Sequence, residues 1–236
     1  MVAARTHGRY LVRPPAAAAR GILVGFHGYL ENAARHLEEL VRIPSTDSWA
    51  LVAVDALHAF YSRSSGDGRV VRGWMTRDLR EESIADNVAY VRGILESVRA
   101  RLGWRLPVVT LGFSQGASMA WRAALLAGHE IAATVALAGD IPPELAALPP
   151  SSPFPPRALL ARGEADEWYT PERLAADRTL LEPRGVDVEL LTFEGAHEWT
   201  DPFRSAAADF LERIEGDHQR SERSAEPGAK RASNPS

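Results

Sequence analysis

The stretch TLGFSQGASM, Thr110 to Met119, sets a serine between two glycines at the spacing Gly112-x-Ser114-x-Gly116. A serine hydroxyl attacks a carbonyl only when a base takes its proton and an acid orients that base. Alone, the spacing is more often an accident of composition than a site. Its surroundings are more specific. The apolar segment 107–113 runs into the serine, and the alanine-rich ASMAWRAALLA follows. Strand, sharp turn and helix are the setting of a nucleophile elbow. Gly112 and Gly116 lack the side chains that would collide where strand and helix approach. The N–H of Gln115 would then face the anion formed on attack.

Seven histidines could supply the base. His197, in FEGAHEWTD, follows the last apolar segment and precedes the last helical one, which makes it the best placed. His58, in a long connection, is its rival. His27 belongs to a separate His-Gly motif. His7 and His218 lie near the ends, and His36 and His129 sit in or beside helices, where a solvated face is the plain reading. Two aspartates qualify as the acid, each just after a strand: Asp166 in RGEADEWYTP and Asp140 in ALAGD. Either keeps the order Ser, Asp, His, and aspartate after a strand is also an ordinary turn residue. Asp166 is favoured because its strand should neighbour the one leading to His197. A second oxyanion donor should come from an early strand–helix loop, and GFHGYLEN points to the N–H of Tyr29.

These residues need a scaffold. Segments 22–27, 50–55, 107–113, 132–139, 157–163 and 186–193 are short and mostly apolar on both faces, as strands of a covered parallel sheet are. Between them the pattern predicts helices at 31–41, 79–102, 115–127, 171–183 and 202–214. In the clearest, Ile84, Val88, Val91, Leu95, Val98 and Leu102 share one face. Asp78 with Glu81 reads as its cap and Gly103 as its stop. The fold class is therefore α/β, a mostly parallel sheet with helices on both faces. Residues 1–215 form one domain. Residues 58–77 make a long connection of the kind that often carries function, and 141–156 are proline-rich. The tail 216–236 has no Ile, Leu, Val, Met or aromatic residue and is expected to be disordered.

The chain has 236 residues, a formal net charge of -4 and no cysteine. That excludes disulfides and thiolate chemistry, and there is no broad basic field to attract nucleic acid. No apolar run reaches the roughly 18 residues that span a membrane, and the N-terminus has no signal-type apolar block. A cytoplasmic location is expected.

The motifs FHGYLEN, RGWMTRD, LGFSQGASMA, ALAGDIP, GEADEWYTP and GAHEWTD, in that order over about residues 20–214, resemble the phospholipase/carboxylesterase branch of the α/β-hydrolase superfamily, which includes acyl-protein thioesterase-like esterases. The resemblance implies an α/β-hydrolase fold, Ser114 as nucleophile, Asp166 as acid, His197 as base, and oxyanion donors at Tyr29 and Gln115. It implies a serine carboxylesterase acting on a small ester, with lysophospholipids and acyl thioesters as further substrates and no cofactor or metal. Leu30 stands where the family usually has a second glycine, Ala117 replaces a frequent glycine, and Trp168-Tyr169-Thr170-Pro171 replaces a shorter valine–proline. Trp74, Trp168, Tyr169 and Trp199, with Phe60, Tyr61 and Met75, lie on segments that could edge an acyl pocket, seal the core, or serve a homodimer contact. The rivals are a dienelactone hydrolase-like or peptidase activity on the same residues, and a binding protein on the same scaffold.

Overall fold

The computed structural model describes residues 6–62 and 68–225. All six segments read as strands form strands: β2 Gly21–Phe26, β3 Trp49–Val54, β6 Val108–Phe113, β7 Ala133–Leu137, β8 Arg157–Gly163 and β9 Asp187–Phe193. They are preceded by β1, Tyr10–Arg13, and the sheet order is β1-β3-β2-β6-β7-β8-β9. β1 runs antiparallel to β3, and every other pairing in this sheet is parallel. Two further strands, β4 His58–Tyr61 and β5 Val70–Gly73, form a separate antiparallel hairpin.

The helices are α1 Ala33–Val41, α2 Arg80–Leu102, α3 Gln115–Leu126, α4 Pro143–Ala146, α5 Pro171–Leu181 and α6 Asp201–Ala225. Strand side chains alternate between faces, so β2 shows how the layers form. Leu23 packs with Ala33 and Leu40 of α1 and Phe203 and Phe210 of α6. Ile22, Val24 and Phe26 pack on the other face with Val91 and Leu95 of α2 and Met119 of α3. Because both faces are covered, β2, β3 and β6 are buried along their whole length.

Some expectations change. The connection 58–77 contains the β4–β5 hairpin, whose alternation is too short to stand out among turn residues; 63–67 lie outside the described residues. Asp78 does not cap α2. Its N-cap is Leu79 in the left-handed region, with no side-chain cap bond. α6 runs to Ala225, past the expected end at 214 and into the segment expected to lack order. That extension is held by polar ties instead of an apolar face. Glu215 accepts from Arg20 at 2.6 Å, Asp217 pairs with Arg157 at 2.6 Å, and Gln219 donates to Glu215 at 2.9 Å. Residues 226–236 lie outside the described residues. Among the described residues no helix is long and apolar enough to cross a membrane.

Candidate active site

Ser114 stands at the carboxyl end of the central strand β6 and is the N-cap of α3, with φ 54 and ψ -122. A non-glycine residue rarely holds such angles, and they cluster where function requires them. The backbone over-determines the turn: Ser114 N–H donates to Leu137 O at 2.9 Å, and Ala117 N–H donates to Ser114 O at 2.9 Å. The two glycines are required by close approach. A Cβ on Gly112 would lie 2.1 Å from Gly116 O, and one on Gly116 would lie 2.0 Å from Phe26 O.

β8 and β9 are adjacent, and their loops bring Asp166 to His197. His197 Nδ1 lies 3.0 Å from Asp166 Oδ2 and 3.1 Å from Oδ1. An ionised carboxylate only accepts, so Nδ1 carries the proton and Nε2 is left as the basic nitrogen. The carboxylate also accepts from the N–H groups of Trp168 and Tyr169, at 2.8 and 3.0 Å. The Phe113 ring packs against the imidazole with centroids 5.1 Å apart. Asp140, the other candidate acid, is engaged elsewhere, accepting from Arg173 at 2.6 Å. His58 lies beside Ser83, 3.5 Å away.

Ser114, His197, Tyr29, Gln115, Asp140 and Trp168 line one cleft of about 540 Å³. Among the described residues no hydrogen bond joins Ser114 Oγ to His197, although both face this cleft; such bonds often tighten only with substrate bound. Nor does any described residue accept the N–H of Tyr29 or of Gln115.

Of the aromatic residues expected at the pocket, Trp168 and Tyr169 line the cleft. Trp168 is 74% exposed, whereas Tyr169 is buried and its hydroxyl donates to Asp177 at 2.9 Å. Trp74 and Trp199 do not line it. Trp74 is 1% exposed, sits edge-on to Phe26, and donates its indole N–H to His27 O at 2.8 Å. Trp199 packs edge-on against His36 and Phe203. Their apolar bulk serves the core, where an aromatic ring removes the most surface from water.

His36 is not on a solvated face. It is fully buried, and burial holds its pKa down at about 3. His27 is likewise held neutral, at about 4, chiefly by burial. Its Nδ1–H donates to Gly28 O at 2.7 Å and its Nε2 accepts from Ala56 N–H at 3.1 Å, which locks the ring beneath the Tyr29 loop. Burial also raises the pKa of Glu31, whose carboxylate accepts from Gly28 N–H at 2.8 Å.

Two contributors escape the motif reading. Arg162 is 4% exposed, and among the described residues its side chain bonds only to backbone carbonyls of the Asp166 loop. An arginine inside the apolar run RALLARG is a signal of sorts, since a buried guanidinium must find acceptors. The other is the side chain of Gln115, which bonds to Trp74 N–H and Met75 O just past the hairpin. Among the described residues no group of three His, Cys, Asp or Glu could hold a metal ion.

A family model described as alpha/beta hydrolase fold matches residues 21–229. Several solved structures share the architecture. Acyl-protein thioesterase 2 of Zea mays superposes with a TM-score of 0.67 at 20% identity, covering 89% of this chain and 100% of that one. A carboxylesterase from Mesorhizobium loti superposes with a TM-score of 0.69 at 22% identity, covering 87% and 94%. A phospholipase/carboxylesterase from Dyadobacter fermentans superposes with a TM-score of 0.64 at 15% identity, covering 87% and 96%. A search of curated proteins returns no match.

Proposed function

The chain belongs to the alpha/beta hydrolase fold family, and from that premise we propose that it is a serine carboxylesterase of the phospholipase/carboxylesterase kind, acting on short-chain carboxylic esters, with lysophospholipids and acyl thioesters as further substrates. The observation that carries the proposal is the Asp166–His197 pair, 3.0 Å apart, whose histidine faces the same cleft as a serine held at φ 54 on an elbow. The solved structures above are esterases and a thioesterase by name, which supports the same class of chemistry.

The reaction proceeds in two halves. Ser114 Oγ attacks the ester carbonyl while His197 Nε2 takes its proton. Asp166 holds the imidazole by Nδ1 and stabilises its charged form. The oxyanion is bound by the N–H groups of Tyr29 and Gln115. Collapse expels the alcohol, which takes the proton from His197, and leaves an acyl-serine. Water then repeats the cycle, giving the carboxylate and free Ser114. Each oxyanion donor is worth on the order of 100- to 1000-fold in turnover.

The test is hydrolysis of p-nitrophenyl esters from acetate to palmitate by the wild type and by Ser114→Ala. Turnover lost in the variant supports the proposal, and the preferred chain length measures the pocket. Turnover that survives in Ser114→Ala would refute it.

A further inference from the structure

We infer that the Gln115 side chain and the β4–β5 hairpin it grips are a positioning device for the oxyanion amides, tying the Tyr29 loop to the elbow. The inference rests on the serine-hydrolase reading. Strands β2 and β6 are directly paired, which sets the spacing of their ends. Tyr29 lies in a loop beyond the end of β2, and Gln115 opens α3 beyond the end of β6, so neither amide is placed by the sheet pairing itself. Their N–H groups must converge on one oxygen, and a displacement of about 1 Å at such a site can cost on the order of 100-fold.

The end of β5 and the two residues after it span the gap, through Arg72, Gly73, Trp74 and Met75. At one end, Leu30 N–H donates to Arg72 O at 3.1 Å, and Arg72 N–H donates to Glu31 O at 2.9 Å. This two-bond bridge grips the Tyr29 loop where Leu30 is held at φ 68. A leucine there costs about 1–2 kcal/mol, so the conformation needs an external tie. At the other end, Trp74 N–H donates to Gln115 Oε1 at 2.8 Å, and Gln115 Nε2 donates to Met75 O at 3.2 Å.

Between the two ends sits Gly73. A Cβ placed there would lie 3.2 Å from the Tyr29 ring and 3.6 Å from Gln115 Oε1, so a side chain at this strand end would press on both residues at once. The bridge is itself anchored. The Arg72 guanidinium donates to Ala56 O at 2.8 Å and pairs with buried Asp55 at 3.3 Å. The Trp74 carbonyl accepts from Asn87 at 2.9 Å. The connection 58–77 thereby acquires a role, since its hairpin sets the separation of two amides it does not contain.

The experiment compares wild type with Gln115→Met, which keeps the backbone N–H and the side-chain length but loses both bonds to the hairpin. Gly73→Ala serves as a second variant that leaves the elbow sequence intact. Three quantities are read: kcat and KM on the best ester, affinity for an alkylboronic acid that forms a tetrahedral serine adduct, and hydrogen exchange at the amides of Leu30 and Arg72. The expected result is kcat and boronic acid affinity falling together by on the order of 100-fold, with KM within about threefold. Exchange at Leu30 and Arg72 should quicken about tenfold, as loss of two hydrogen bonds to the hairpin predicts. A merely structural role would lower the melting temperature without splitting kcat from KM.

Gln115→Met with wild-type kcat and unchanged exchange would overturn the inference. Should no ester be turned over, or should Ser114→Ala retain activity, the serine reading fails; unchanged exchange would still refute the brace and faster exchange would still support it.

Discussion

Arg162 Nε donates to the carbonyl of Tyr169 across 2.8 Å, from a side chain that is 4% exposed. Its Nη2 reaches the carbonyls of Glu164 at 3.1 Å and Asp166 at 3.5 Å. One planar fork therefore gathers three carbonyls of the loop that presents Asp166. Lysine carries the same charge on a single point and cannot reproduce that geometry. Arg162→Met and Arg162→Lys should both lower kcat by roughly 100-fold with little change in KM, because the acid is mis-set. Steady-state kinetics checks this, and a lysine variant at the wild-type rate would show that charge alone suffices.

The two aspartates are separable. Trp168 and Tyr169 N–H groups both donate to Asp166 Oδ1. In Asp166→Asn they would keep the amide oxygen and turn its NH₂ towards His197, which imposes the wrong tautomer. Turnover should fall by on the order of 10,000-fold. Asp140→Asn breaks an exposed pair with Arg173 and should leave kcat within a few-fold. Equal losses in the two variants would contradict this division of roles.

His36 should make the protein sensitive to acid. Its folded pKa is held down to about 3 by burial, against about 6.5 for an unfolded histidine. Between those values the unfolded chain binds a proton that the folded chain does not, so stability rises with pH across this window and is lost as pH falls. His36→Phe should remove on the order of 2–3 kcal/mol of that loss between pH 6.5 and pH 4. Both ring nitrogens lack hydrogen-bond partners among the described residues, so the change should cost little at pH 7. Urea unfolding midpoints against pH would show it. Parallel curves for the two proteins would argue against the assignment.

Gly116→Ala should cripple folding before it affects chemistry. The new Cβ would sit 2.0 Å from Phe26 O, a backbone atom of the neighbouring central strand. Overpacking of side chains alone costs about 1–3 kcal/mol, and here the obstacle is backbone. A melting temperature within a degree or two of wild type would be incompatible with the packing described.

Trp168 lines the cleft, its side chain makes no hydrogen bond among the described residues, and it is 74% exposed. Trp168→Ala should raise KM for longer acyl chains about 10-fold, the worth of roughly 1.4 kcal/mol of lost contact, while kcat on acetate stays unchanged. A uniform effect across chain lengths would remove Trp168 from the acyl pocket.

What is local can be read from the chain alone. Six short, mostly apolar runs become six strands because such runs suit a covered parallel sheet, although only β2, β3, β6 and β7 are buried along their whole length and β9, at the sheet edge, is partly exposed. The glycines around Ser114 announce the elbow because close backbone approach forbids any other residue at those two places. The adjacency of β8 and β9, which joins Asp166 to His197, followed from chain order.

Everything that depends on partners distant in the chain is fixed only on folding. Aromatic residues on irregular segments look alike in sequence, yet Trp74 is drawn into the core by His27 O while Trp168 stays on the cleft. His36 reads as a surface residue of a helix and is buried, because α1 turns that face to Trp199. Leu30 departs from an expected glycine and keeps the glycine-like conformation, because Arg72, on a separate hairpin, holds it there. Periodicity reports which side of an element is apolar. Which neighbour covers that side, and which carbonyl awaits a given N–H, is set only when the chain has folded.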